Sequence, residues 1–169
     1  MSDNELSLSS DRLYISKSTK DGKITYCNQA LLELGGYQEN KLIGQPHNIM
    51  RHPDMPRGLF LMLWQTLKAR QEFNAFIKNR TNNDQFYWAF TNITPVCNPQ
   101  AQVTGYICTR RKANPAGIMM FETYYDTMRE IEKNDNSDAA AQRGIDELQQ
   151  MLSAMGDDYE ASVFKLQFS

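Results

Sequence analysis

Only three cysteines occur in the chain, Cys27, Cys97 and Cys108, and no two of them stand in a CxxC pair. An odd, scattered set builds neither a disulfide framework nor a zinc site, and it fits a reducing, cytoplasmic setting. Long apolar runs are missing too. Nothing approaches the roughly 18 residues that a membrane span needs. Met1 to Ser10 is polar and acidic, without the apolar centre of a signal segment. No GxGxxG, no GxxxxGK followed by Ser or Thr, and no HExxH is found, so a phosphate-cradling loop and a zinc hydrolase of those types are excluded. No nucleophile stands with a base beside it, and an enzyme is not expected. Excess positive charge is also absent: the net charge of -2 argues against a generic nucleic-acid binder.

What is present divides in two. With 169 residues, eight Phe, eight Tyr and two Trp, the chain can bury a core of one ordinary domain and still carry an appendage. Residues 1–113 hold 14 Lys+Arg against 9 Asp+Glu, a net +5, and residues 114–169 hold 4 against 11, a net -7. The change marks a boundary near Asn114-Pro115. The acidic part is either a solvated helix pair or a segment that docks electrostatically. The expected organisation is a flexible lead over 1–10, a domain over 11–113 and an acidic helical extension over 114–169.

Local patterns fill this in. Arg12–Ser16 and Ile24–Cys27 read as strands around the turn Lys20-Asp-Gly-Lys23, whose Asp-Gly pair supplies the positive φ of a tight hairpin. Asn28 is suited to cap a helix over Gln29–Leu34, which Gly35-Gly36 ends, and Leu31, Leu34 and Leu42 are core candidates. In Pro56–Arg70, Phe60, Leu63, Trp64 and Leu67 recur at helical spacing, with Asp54 placed to favour the N-terminus. Three strands follow, over Glu72–Arg80, Gln85–Val96 and Gln102–Arg111, joined by short turns, so an antiparallel meander is expected. Phe86, Trp88 and Phe90 share one parity of the middle strand, and Tyr87, Ala89 and Ile93 the other. Beyond Pro115, Ile118, Phe121, Tyr125 and Met128, then Ile145, Leu148, Leu152 and Met155, give a C-terminal helical pair that packs on the domain or forms a homodimer interface. The fold class is α+β, with helices on one face of an antiparallel sheet.

Chemistry concentrates in Gly44–Arg57, which contains both histidines, His47 and His52, and three of the six prolines. Proline fixes φ and removes a donor, so this is a stiff connection carrying the cation Arg51, the imidazole His52 and the carboxylate Asp54. His52 is either a loop cap or a pocket group, and Arg51 with Asp54 either a local ion pair or a ligand contact. Trp64 is either plain core or a pocket wall. His47 reads as a structural loop residue.

Asp21-Gly-Lys-Ile-Thr-Tyr-Cys-Asn28, Leu42-Ile-Gly-Gln-Pro-His-Asn48 and Arg51-His-Pro-Asp-Met-Pro56 resemble a PAS domain of the bacterial aerotaxis-receptor type. Trp64-Gln-Thr-Leu-Lys68, Lys78-Asn-Arg80, Tyr87-Trp88, Thr94-Pro95 and Gly105-Tyr106 continue the match in order, so the resemblance covers about 11–112. It implies a PAS fold: a five-stranded antiparallel sheet with short helices on one face and a sensory pocket between them. In the aerotaxis group that pocket holds FAD non-covalently, and its redox state is the signal. Carried over by position, the cofactor-binding candidates are Asn28, Arg51, His52, Asp54, Trp64, Phe73 and Asn79. Phe73 stands where the family pattern has a tryptophan; it keeps an aromatic face and lacks the indole N–H. No Asn-Cys-Arg-Phe motif for a photo-adduct is present.

The resemblance thus implies a cytoplasmic module for redox or oxygen sensing that reports to an output partner or domain. The alternatives are a cofactor-free PAS module for dimerisation or protein interaction, and a PAS domain for haem or another small ligand. No kinase, cyclase or chemotaxis signalling segment lies within the 169 residues, so the output is expected in a separate protein or in the rest of a longer chain.

Overall fold

The computed structural model describes residues 4–169. Strand β1 (Tyr14–Thr19) turns through Gly22 into β2 (Ile24–Cys27), and helices α1 (Gln29–Gly35) and α2 (Glu39–Leu42), a 3-10 turn (His47–Met50) and helix α3 (Arg57–Lys68) follow. The chain then runs through β3 (Phe73–Arg80), β4 (Phe86–Cys97) and β5 (Val103–Lys112) before α4 (Pro115–Glu132), α5 (Asp138–Ser153) and α6 (Tyr159–Phe168). The five strands form one sheet in the order β2-β1-β5-β4-β3, and every pairing is antiparallel. The β1–β2 hairpin and the β3–β4–β5 meander are joined centrally by the β1–β5 pairing, completing the five-stranded antiparallel sheet that was expected.

Side chains alternate across a sheet, so register assigns the faces. On the inner face Cys108 lies between Ser16 and Ile93, and one step along Arg110 lies between Tyr14 and Thr91. Helices α1 to α3 lie over this face. A core of Leu31, Leu42, Met50, Tyr14, Ile24, Tyr87 and Ala89 closes one end. Phe76, Trp88 and Phe90 point the other way. Phe76 stacks on Phe121, Trp88 on Tyr125, and Phe90 meets Phe164 and Phe168, so α4 and α6 cover the outer face of β3 and β4. Burying each such ring contributes about 1.5–3 kcal/mol. Helix α5 turns back to pack on α3, and Ile145, Leu148 and Leu152 join the core that Leu59 and Leu63 enter.

The extension therefore wraps the sheet around its β3 edge. An edge strand leaves backbone groups unpaired, and here they are taken up one by one. Tyr159 donates its hydroxyl to the Asn74 carbonyl and Tyr125 to that of Phe76, both at 3.0 Å. The Lys78 carbonyl accepts the His52 N–H at 3.4 Å.

Three expectations need correction. The part of the lead within the described residues is tied down: Leu6 N–H donates to the Phe86 carbonyl, Phe86 N–H to that of Asn4, and Leu8 is buried. Residues 1–3 of that expected lead lie outside the described residues. The C-terminal pair is joined by a third helix, α6. Its apolar residues Val163, Phe164, Leu166 and Phe168 are spread around the axis, so no helical stripe announces it. Finally, Asp54 does not serve the N-terminus of α3, which Glu132 of α4 caps instead: its two carboxylate oxygens accept the N–H groups of Arg57 and Gly58 at 2.7 and 2.8 Å.

Candidate functional site

A cavity of about 290 Å³ lies between the inner face of the sheet and α3. The residues that shape it come from α3, four of the five strands and the loops between them. Helix α3 turns Phe60, Leu63, Trp64 and Leu67 toward it, β3 supplies Ile77 and Asn79, and β5 supplies Tyr106, Cys108 and Arg110. The proline-rich stretch adds His47 and Arg51, and the β1–β2 turn adds Gly22.

Its walls are aromatic. Trp64 is 37% exposed and meets Tyr106 edge-on at 5.5 Å, with its ring also over the turn at Gly22. The Arg51 guanidinium lies 3.9 Å from the centre of the Phe60 ring and donates to the Met55 carbonyl at 2.9 Å. Such a cation–ring contact holds the side chain flat against the wall. Asn79 is buried, and its amide nitrogen makes one long bond, 3.3 Å to the Ile77 carbonyl.

The inner end is polar. Arg110, only 2% exposed, donates to Ser16 Oγ at 3.2 Å, and its second terminal nitrogen lies 3.3 Å from His47 Nε2. Ser16 Oγ is 2.8 Å from the same Nε2. With hydroxyl and guanidinium both directed at Nε2, this nitrogen is the acceptor, and the network assigns the imidazole proton to Nδ1. Burial, reinforced by the Arg110 charge, pushes the His47 imidazole down to about 3, so the ring is neutral. The Arg110 Nε has no hydrogen-bond partner among the described residues.

Of the residues expected in the pocket, Arg51, Trp64 and Asn79 come together around this cavity. The others do not. Asn28 is consumed as a cap and clasp: its Oδ1 accepts from Leu31 N–H and Ile15 N–H, and its amide donates to the Leu13 carbonyl. His52 faces away, with its ring against Phe86 at 5.7 Å and its Nδ1 accepting the Asp54 N–H. Burial lowers its pKa, against the opposing pull of Asp54. Asp54 sits beside Lys78 at 2.7 Å and Arg129 at 3.5 Å, an ion cluster between the loop, β3 and α4. Phe73 stacks on Tyr159 at 5.7 Å, next to a separate groove. Sequence reasoning placed His47 in a structural role and passed over Ser16 and Arg110. The available signal was register: Arg110 falls on the inward parity of β5 with Tyr106 and Cys108, where a charge is unusual.

A cavity with aromatic walls, an amide on one side and a cationic, neutral-histidine end suits a planar conjugated ligand with hydrogen-bonding edges. Its donor set fits a flavin ring.

Comparison with known proteins agrees with this architecture. The PAS fold family matches residues 24–110. The aerotaxis receptor of Escherichia coli (strain K12) is 33% identical over 121 residues, which are 72% of this chain and 24% of the receptor. The nitrogen fixation regulatory protein of Klebsiella pneumoniae is 31% identical over 97 residues, 57% of this chain and 20% of that protein. The chain thus spans about a quarter or less of these curated relatives. Among solved structures, the dark state of the blue-light photoreceptor Aureochrome1 LOV shares the fold, with a TM-score of 0.57 at 12% identity over 70% of this chain and 86% of that one. A PAS domain from Colwellia psychrerythraea does so with a TM-score of 0.55 at 19% identity over 59% of this chain and 85% of that one. The chain belongs to the PAS family, and its PAS domain is similar to part of the aerotaxis receptor.

Proposed function

We propose that this domain binds FAD non-covalently in the cavity under α3 and reports redox or oxygen status to an output partner or domain. The observation that carries the reading is the cavity's inner end, where a buried guanidinium, a neutral imidazole and a hydroxyl converge below aromatic walls. At about 290 Å³ the cavity is at the lower limit of small-ligand sites. It suits the ring system, and the remainder of the dinucleotide would extend outward. Trp64 and Phe60 would wall the ring, and Asn79 would face its amide-like edge. Arg51 is the cation available for the pyrophosphate, provided it leaves Phe60 or reaches past it. When bound, FAD supplies electron exchange; the protein's own part is to hold the ring, exclude water and register the change in hydrogen bonding.

The loop from Arg51 to Arg57 offers the route outward. Its first residue lines the cavity, Asp54 pairs with Arg129, and Arg57 and Gly58 are held by Glu132, so one turn of α4 grips the cavity wall. The role proposed is sensing rather than catalysis. No helix of the described residues is long and apolar enough to cross a membrane, and a cytoplasmic location belongs to the same proposal. Titrating the purified protein with FAD and following its tryptophan fluorescence, to which Trp64 and Trp88 both contribute, tests it: saturable quenching is expected, and none would refute it.

A second reading, a homodimer through the C-terminal helices, draws on the exposed Met119, Met155 and Phe168. Light scattering on the full chain tests it, and a monomer at all concentrations would sink it.

A further inference from the structure

Arg110 is a cation on the inward face of β5, almost wholly removed from water, and among the described residues no carboxylate pairs with it. Burying a charge without a counter-charge is expensive, and leaving one of its N–H groups unbonded adds to the cost. Its two side-chain neighbours, Ser16 and His47, are both uncharged. The nearby thiols are held in the neutral form by burial, Cys108 raised and Cys27 pushed up to about 11. The Tyr87 hydroxyl, on the adjoining strand, is buried and likewise has no partner among the described residues. The inner end of the cavity therefore carries a positive charge with no counter-charge among the described residues. Arg51 differs: it is committed to the Met55 carbonyl and the Phe60 ring.

A cation in a low-dielectric slot acts on whatever charge the ligand places beside it. Resting on the flavin reading, we infer that Arg110 selects the charge state of the ligand: it faces the electron-rich carbonyl edge of the ring and favours the form of FAD that is more negative there. Reduced FAD carries that extra negative charge near neutral pH, and a fixed charge at this edge is one of the few means a protein has to tune a flavin. The phosphates are the same in both forms, so they cancel when the two affinities are compared. Arg110 acts here as a specificity-determining residue for redox state, beyond the general holding of the cofactor.

The test measures Kd for oxidised FAD and for dithionite-reduced FAD under argon, in the unaltered protein and in Arg110→Gln and Arg110→Met, with circular dichroism to check folding. In the unaltered protein, reduced FAD is expected to bind at least as tightly as oxidised. In the two variants the preference for the reduced form should fall about tenfold, equivalent to about 30 mV for a two-electron couple. Arg110→Lys, which keeps the charge, should retain most of it. An unchanged ratio in a folded variant overturns the inference and leaves the flavin reading standing. So does markedly tighter binding of oxidised FAD by the unaltered protein, a result that needs no variant to fold. If the unaltered protein takes up neither form, the flavin reading and this inference fail together.

Discussion

Glu132, the last residue of α4, caps the first turn of α3 through Gly58, whose N–H it accepts at 2.8 Å from 74 positions further along the chain. Helix α3 starts after Pro56, which has no side chain able to cap it, so the orphan N–H groups are satisfied from the extension. The carboxylate also lies 3.7 Å from the Arg57 guanidinium and is nearly wholly buried.

Glu132→Ala should therefore destabilise the fold by on the order of 2–3 kcal/mol, because buried helix donors are left without partners. Glu132→Gln, which keeps one acceptor oxygen, should lose less. Urea denaturation midpoints measure both, and an alanine variant as stable as the parent would remove the cap from the account.

Gly117 on α4 sets two preferences against each other. Alanine would improve helix propensity by about 1 kcal/mol. A Cβ at this position would come within 2.4 Å of two carbons of the Phe76 ring, however, under the outer face of β3. Overpacking of this kind costs about 1–3 kcal/mol. We expect Gly117→Ala to lower the melting temperature, and a rise would show that the extension packs more loosely than described.

His47 makes stability depend on pH. Its folded imidazole titrates at about 3, against 6.5 for the ordinary group, so the unfolded chain binds the proton more tightly. Its contribution is complete above about pH 6.5 and is lost as the pH falls toward 3, at up to about 1.4 kcal/mol per pH unit. His47→Gln cannot take up that proton. The stability difference between parent and variant, followed from pH 7 to pH 4 by urea denaturation, should shrink as the solution becomes acidic. A difference independent of pH would mean that His47 titrates normally.

Asn28 and Trp64 separate structure from site. Asn28→Ala should cost about 1 kcal/mol or more as a lost cap and leave FAD affinity nearly unchanged. Trp64→Ala should weaken FAD binding by about tenfold or more, the worth of a lost ring contact. Calorimetric titration of both decides this, and the reverse pattern would return Asn28 to the pocket.

The strands, α1 and α3 were legible because their signals are local: the Asp21-Gly22 turn, the Asn28 cap and the three- and four-residue spacing of Phe60, Leu63, Trp64 and Leu67. The two parities of β4 were also visible, with Trp88 and Phe90 on one face and Tyr87 and Ala89 on the other. What the sequence could not show was what covered the second face. The partners of Trp88 and Phe76 lie on α4, some 40 positions later, and nothing in either segment names the other. The site was half legible for the same reason. Arg51, Trp64 and Asn79 reach the cavity, whereas His52 follows the turn that Pro53 imposes and faces Phe86. The Arg110–His47–Ser16 cluster joins positions 16, 47 and 110: the central β1–β5 pairing brings Ser16 beside Arg110, and the bond from His47 N–H to the Gly22 carbonyl brings the histidine over them.

Flavin binding is tested by the visible absorption spectrum of the freshly purified protein, before and after incubation with FAD and gel filtration. Flavin bands that co-elute with the chain in near-equal proportion, and bleach with dithionite, are the predicted result. A colourless protein that retains no FAD, and shows no binding by equilibrium dialysis at up to about 1 mM, where association is worth only about 4 kcal/mol, would contradict it.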